Sequence, residues 1–441
     1  MACIHARRQY GVTLIELMVA MVLGLLVAAG IVTVFLSTSS SNRAQTQMAR
    51  LQEEGRFAIT RLKDDLSMAN GQYCTSSGGN AHPSTAGPYL DGLRAPTIYA
   101  NGATALMDAL SDVTTPWGDG SSYPKLPTGP YSLPSFLSMR GYDCTATDCT
   151  PVDPHTAVTG IPEAGTAAGN RVVGTAVLTL RYLNSAGGWT INPPGSADGS
   201  TMISNTDGTL KEVNLKPLST ESPITAFKDG DLAMLADCSN AQVFAVDGGG
   251  TAKLSTNTSN FASPSAQQGM SAPKLFDFNR DFQTVTYYLA VVDNGDGHTT
   301  GALIRRLNGT DNELVRGVER LDFKYGVEYP DGSMRFLTAA EVDSSTRDST
   351  GCTASVPIAP GSGNDPGCLW RAVKSIEVDL LMDGQLPLYT LTANEQQYTY
   401  GDITKPTAPD SHTIKPSDQG FVNQMIRREF TALVSVRNYN P

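Results

Sequence analysis

An uncharged run of twenty residues, Leu17–Leu36, constrains this chain more than any other feature, and Thr33 is its only clearly polar member. In an α-helix twenty residues rise about 30 Å, the thickness of the hydrocarbon core of a bilayer. Arg7 and Arg8 precede the run, with no acidic residue beside them. Because basic residues next to a span stay cytoplasmic, we expect everything after the span to be exported.

Three interpretations of this N-terminus compete. A secretory signal would be cleaved near Val27-Ala28-Ala29-Gly30, and a plain anchor would keep the whole segment. Neither accounts for Glu16, since a carboxylate costs about 2.5–3.5 kcal/mol at the centre of a bilayer, and less near its surface. A cut between Gly11 and Val12 would create an α-amino group four residues before Glu16 and so supply a partner charge.

The segment formed by Gly11 and the following VTLIELMVAMVLGLL resembles the class III signal of type IV prepilins and pseudopilins. The resemblance implies that a prepilin peptidase cuts after Gly11 and methylates the amine of Val12. It also implies that Glu16 pairs with the N-terminal amine of a neighbouring subunit during assembly. Val12 departs from the phenylalanine that is usual at this position.

The helix is expected to continue well beyond the membrane, because no proline occurs between Val12 and Ala81. Small and apolar residues recur at helical spacing on one stripe: Met48, Leu51, Gly55, Ala58, Leu62, Leu66 and Ala69. This pattern predicts one helix of about 55–60 residues whose amphipathic half docks on a soluble domain. The helix is expected to end at Asn70-Gly71, with glycine in the left-handed conformation of a C-terminal cap.

A finer resemblance lies at the end of this helix, where Leu51–Ile59 (LQEEGRFAI) is similar to the segment typical of PilW-type minor pilins. Residues 228–246 and 303–327 also resemble PilW-like sequences. The likeness is strong over the first 70 residues and moderate over 228–330 and 370–441. The length of 441 residues agrees with it, since major pilins are much shorter.

Alternating apolar and polar residues predict strands at 172–183, 313–327, 372–382 and 429–437. Hairpins are expected at 228–246 and 284–307. Residues 71–170 and 185–225 are polar and rich in turn-forming residues, so we expect loops there. This order predicts a pilin-like α+β fold, with the long helix packed on an antiparallel sheet that carries a large loop-rich insertion. The predicted units are 1–11 (leader), 12–36 (membrane or filament-core half of the helix), 37–70 (amphipathic half), 71–170 (insertion) and 171–441 (β-rich globular domain).

Six of the seven cysteines remain once residues 1–11, with Cys3, are removed. An even number in an exported chain favours disulfides. Local spacing favours Cys144 with Cys149 and Cys352 with Cys368. Elimination then leaves Cys74 with Cys238.

No constellation in the sequence indicates an enzyme or a cofactor. The five histidines are scattered, and neither a Walker loop nor a Gly-x-Ser-x-Gly elbow occurs. A net charge of −11 disfavours nucleic acid as a partner. Asp293–Gly297 has oxygen ligands suited to calcium, but Asp-Asn-Gly is also a common turn, which we favour.

The features together predict a minor pilin of a type IV pilus. It is expected to be a single-pass protein of the bacterial inner membrane, with its C-terminal domain in the periplasm, that passes into the pilus at the cell surface. The resemblance implies a role in a tip or priming complex that initiates assembly and supports piliation, twitching motility and adhesion. Implied partners are prepilin peptidase, other minor pilins, the major pilin, the inner-membrane assembly platform and a tip adhesin. Two alternatives stay open: a J-type pseudopilin of type II secretion, and a filament-tip adhesin that binds through 71–170.

Overall fold

A single helix, α1 (Leu14–Met68), opens the fold in the computed structural model. Its first turn carries a capping box, in which Thr13 caps the backbone N–H of Glu16 and Glu16 caps that of Thr13. At the other end the left-handed residue is Asn70, with φ of 58°, and not Gly71 as predicted. The structure describes residues 11–71, 73, 95–115, 125–156, 159–237, 241–248, 252–266, 273–295, 297–328, 333–346, 366–387, 416–422 and 424–436.

Three short helices and twenty-one strands follow within the described residues. The helices are α2 (Ala103–Ala109), α3 (Phe278–Asp281) and α4 (Ala339–Asp343). The strands are β1 (Thr97–Ile98), β2 (Tyr131–Ser132), β3 (Met139–Cys144), β4 (Cys149–Thr150), β5 (Ala164–Gly165), β6 (Arg171–Val172), β7 (Val177–Leu183), β8 (Trp189–Asn192), β9 (Ser200–Ser204), β10 (Leu210–Asn214), β11 (Leu232–Ala236), β12 (Ala241–Asp247), β13 (Lys253–Thr256), β14 (Lys274–Asp277), β15 (Phe282–Asp293), β16 (Thr299–Leu307), β17 (Thr310–Arg316), β18 (Val318–Glu328), β19 (Met334–Leu337), β20 (Val373–Asp383) and β21 (Arg427–Ser435).

One of the three sheets closes on itself. Its strands run β11-β14-β8-β9-β10-β13-β12, and β12 pairs back with β11, so seven strands form a barrel. The interior is a separate apolar cluster that includes Trp189, Phe227, Phe244 and Leu275. The predicted hairpin at 228–246 is confirmed as β11–β12, with Ala236 opposite Ala241. The barrel was not predicted, because three of its strands (β8, β9 and β10) lie in the polar region 185–225.

The second sheet follows the order β17-β16-β15-β7-β3-β4 along its main path, and the third runs β19-β18-β20-β21. The predicted hairpin at 284–307 is confirmed as β15–β16, with Leu289 opposite Leu303. Gly317, with φ of 77°, divides the strand predicted at 313–327 into β17 and β18. The expected loop region 71–170 contains the buried strand β3, which pairs with β7.

The α+β class is confirmed, but three sheets replace the one antiparallel sheet that was predicted behind the helix. Parallel pairings join β1 to β12, β8 to β9 and β5 to β6. The second half of α1 packs against β17, β20 and β21. The predicted stripe is buried from Leu51 to Ala69, and the ring of Phe430 on β21 lies over Gly55 at a place where a side chain would collide with it.

A buried ion pair fixes the helix to the second sheet. Arg305 of β16 donates from Nε to Oδ2 of Asp65 at 2.5 Å and from Nη2 to Oδ1 at 3.1 Å. Tyr182 and Tyr287, on β7 and β15, donate their hydroxyls to the same carboxylate at 2.9 and 2.5 Å. Burial works to raise the pKa of Asp65, but these bonds and the charge of Arg305 outweigh it and hold the pKa below its usual range.

We predict that Arg305→Met lowers the free energy of unfolding by about 3–5 kcal/mol, because it leaves the Asp65 carboxylate buried without its cation. The matched control is Arg50→Met on the same helix, whose partner is Glu54 at 2.8 Å and whose side chain is 55% exposed. That exposed pair contributes less than about 1 kcal/mol. Denaturant unfolding of both variants measures the difference, and equal losses would show that the ion pair does not anchor the helix.

Candidate assembly site

The candidate site is the N-terminal assembly segment, defined here as residues 11–36. Gly11 and Val12 precede the first turn of α1 and are exposed, so the predicted cleavage bond lies outside regular structure. Residues 1–10 of the basic leader lie outside the described residues. The geometry places the predicted new N-terminus at Val12 one residue before the helix cap.

The carboxylate of Glu16 is held by Thr13. Its Oε2 accepts the backbone N–H of Thr13 and the Thr13 hydroxyl, each at 2.9 Å, and Thr13 Oγ1 in turn accepts the N–H of Glu16 at 3.3 Å. Within the described residues no bond engages Oε1 of Glu16. This oxygen can therefore accept a hydrogen bond from an amine of another chain while the cap stays intact.

The apolar side chains of the assembly segment are uncovered. All of its large hydrophobic residues, from Val12 to Leu36, are between 53% and 77% exposed. By length and composition α1 can cross a membrane, and its most apolar stretch makes no buried contact with the rest of the chain. The same helix is therefore unpartnered in one half and buried at Leu51, Leu62 and Leu66 in the other.

Two of the three predicted disulfides, Cys352–Cys368 and Cys74–Cys238, involve residues that the structure does not describe. Cys368 is described, and it is disulfide-bonded. Cys74, Cys238 and Cys352 lie outside the described residues. The predicted pair Cys144–Cys149 is present as a disulfide that joins β3 to β4. The buried guanidinium of Arg171 lies 3.3 Å from Sγ of Cys144 and 3.5 Å from Sγ of Cys149.

Asp293, Asn294, Gly295 and Gly297 lie at the tip of the β15–β16 hairpin. Oδ1 of Asp293 accepts the N–H of Gly295 at 2.8 Å, and the N–H of Asn294 donates to the carbonyl of His298 at 2.9 Å. Asp296 lies outside the described residues. The Asp293 carboxylate thus closes its own turn, which is the arrangement that an Asp-Asn-Gly turn predicts.

Sequence reasoning missed the residues that fix the second half of α1 to the globular domain. Asp65 lies on the buried stripe of α1, three residues after Leu62, and an acid on an apolar face is itself a sign of a buried partner. Its cation, Arg305, lies 240 positions further along the chain. Nothing in the local pattern of β16 separates Arg305 from its neighbour Arg306, which pairs instead with Asp112 at 3.1 Å.

Two family models match the chain. Residues 286–438 match the type IV pilus-assembly protein W, and residues 6–32 match the prokaryotic N-terminal methylation motif. No curated protein and no solved structure matches. The resemblance to PilW-type pilins is thereby confirmed, and the two matches together support a type IV pilus minor pilin. The barrel strands β8–β14 lie outside both matched ranges.

We predict that Glu16→Ala and Glu16→Gln both weaken incorporation into pili more than they weaken membrane insertion, because both remove the charge available to a neighbouring amine. Glutamine is also a favourable partner in a capping box, so Glu16→Gln separates the charge from the cap. Thr13→Ala, which removes the hydroxyl and keeps the charge, is the matched control. Immunoblots of sheared pili and of carbonate-washed membranes give the two yields.

Wild-type incorporation of the Glu16→Gln chain would mean that the carboxylate acts only as a helix cap. Equal loss from pili and from membranes would mean that Glu16 serves insertion and not assembly.

Proposed function

We propose that this PilW-type pilin is cut after Gly11, methylated at Val12 and held in the bacterial inner membrane as a single-pass protein with its C-terminal domain in the periplasm. It then leaves the membrane as a minor subunit of a type IV pilus. Its role is structural rather than enzymatic. It acts in a minor-pilin tip or priming complex that initiates pilus assembly, and through it supports piliation, twitching motility and adhesion.

The observation that carries this proposal is the division of α1 into an uncovered half and a buried half. Residues 14–36 present apolar side chains in all directions, so in water they would expose a large hydrophobic surface. A bilayer covers that surface before assembly, and neighbouring helices cover it within a filament. The buried half, fixed through Asp65 and Arg305, keeps the globular domain attached to the helix as it moves from one environment to the other.

The same geometry supports the proposed partners. Prepilin peptidase meets the exposed Gly11–Val12 bond, and major and minor pilins supply both the helices that cover residues 12–36 and the amine for Glu16. The inner-membrane assembly platform passes the subunit into the filament. Two large sheets and a closed barrel make the domain bulky for a subunit repeated at every position, which favours a place at the filament end, beside a tip adhesin.

Gene deletion tests this function. We expect loss or strong reduction of surface pili and of twitching, restored by the wild-type gene, and immunogold label at pilus ends in the complemented strain. Unchanged pili with impaired exoprotein secretion would instead identify a J-type pseudopilin. Normal pilus number with loss of surface binding, after a deletion within 71–170 that spares the buried strand β3, would identify an adhesin.

A further inference from the structure

A groove of about 690 Å³ lies where α1 leaves the globular domain. One wall is the helix, and the other is the short segment that follows β20. The groove is lined by Phe35, Thr38, Ser39, Asn42, Arg43, Thr46, Gln47, Leu386 and Pro387. Phe35 lines the helix wall at its membrane end, hydroxyl groups and the cation of Arg43 line that wall further along, and Leu386 and Pro387 line the opposite wall.

The end of the apolar run determines how far this groove lies above a membrane. The apolar run ends at Leu36, and the hydroxyl-rich stretch Ser37–Ser41 follows it. Arg43 lies seven residues beyond Leu36, which is about 10 Å along a helix. Helical side chains lean toward the N-terminus, so the guanidinium of Arg43 extends back toward the layer of about 5–8 Å that the lipid headgroups occupy.

The charge of Arg43 is available to a ligand. Arg43 is the first charged residue after Glu16 in the chain, and it is exposed. Among the described residues it has neither an ion-pair nor a hydrogen-bond partner, whereas Arg50, two turns further along, is paired with Glu54. An unpaired arginine beside hydroxyl groups matches the charge and the hydrogen-bonding needs of a phosphate.

Hydrogen bonds anchor the chain at the start of the opposite wall of the groove. The side-chain nitrogen of Gln385 donates to Glu54 Oε2 at 2.8 Å and to the carbonyl of Arg316 at 3.0 Å, and the N–H of Gly384 donates to the carbonyl of Ile426 at 2.9 Å. Leu386, which follows, is 52% exposed. These bonds fix the backbone just before Leu386, which lines the groove together with Phe35.

We propose that this groove binds the phosphate headgroup of an anionic phospholipid, with Arg43 as the counter-ion and with Phe35 and Leu386 against the start of the acyl chain. The inference rests on the proposed membrane insertion of residues 12–36. The bound lipid holds the globular domain down on the membrane surface. It must be given up when the subunit enters the filament, so the groove adds a lipid-dependent step to assembly.

The test measures lipid selectivity of the full chain in phosphatidylcholine vesicles that contain either spin-labelled phosphatidylglycerol or spin-labelled phosphatidylcholine. We expect wild type to associate about fivefold more strongly with the anionic lipid at low salt, the factor that one arginine at a membrane surface provides, and to lose this preference at high salt. Arg43→Gln should lose it at low salt as well.

Two variants locate the site. Arg56→Gln removes an exposed arginine of the same helix about 20 Å further from the membrane and should keep the preference. Ser39→Trp fills the groove but keeps Arg43, and it should lose the preference if the headgroup lies inside the groove. Helix content and thermal unfolding establish that the variants are folded. Each of these chains, including the one with Arg43 intact, also carries Arg7→Gln and Arg8→Gln, because two arginines beside the span would themselves attract the anionic lipid.

Carbonate extraction of the same vesicles separates this proposal from the proposed function. A chain that inserts but shows no preference for the anionic lipid, or an Arg43→Gln or Ser39→Trp chain that keeps the preference, would overturn the headgroup site alone. A chain that is extracted by carbonate would overturn membrane insertion and, with it, the headgroup site.

Discussion

The ion pair between Asp65 and Arg305 is the contact on which the arrangement of the molecule depends. It ties the last turns of α1 to the middle of the second sheet, and two tyrosine hydroxyls complete the shell around the carboxylate. A buried carboxylate without its cation would be costly, so the pair allows one position of the helix along the sheet. The ring of Phe430 over Gly55 adds a steric constraint two to three turns earlier.

A helix fixed at one end and uncovered at the other has a direct consequence for assembly. Because α1 is continuous from Leu14 to Met68, the position of the globular domain determines where the apolar half and Glu16 lie. The capping box holds Glu16 by one oxygen and leaves the other toward solvent. The fold therefore presents an apolar helix in a fixed position, with one carboxylate in its first turn. This arrangement suits a subunit whose helix first contacts lipid and then contacts neighbouring helices.

Much of this arrangement could be predicted from local sequence. The uncharged run, Glu16 five residues after Gly11 and the stripe through Leu51 and Leu62 are local periodic patterns, and they fixed the helix and its two faces. Strands with clear alternation, such as β20 with Ile376 and Val378 buried, were found for the same reason. The disulfide between Cys144 and Cys149 followed from proximity in sequence.

What could not be predicted depends on long-range contacts. Strand β3 is buried but carries the charged residues Arg140 and Asp143, so its composition resembles that of a loop. Its burial depends on a distant partner, because Arg140 pairs with Asp343 at 2.9 Å. Strands β9 and β10 of the barrel bury few side chains, and only closure of the ring makes them regular. The partner of Asp65 lies in a distant strand that no helical pattern can indicate. Residues 286–438 match a family model, whereas the barrel lies outside it.

The most direct test of the account is the mass and N-terminal sequence of the chain recovered from purified pili. We predict a chain that begins at Val12, with one methyl group on its α-amine, so that the uncovered half of α1 is retained in the filament. A chain that begins near Ala29 or Gly30 would have lost most of that half to a secretory signal peptidase, and it would contradict the central claim that the apolar half of α1 is the assembly surface.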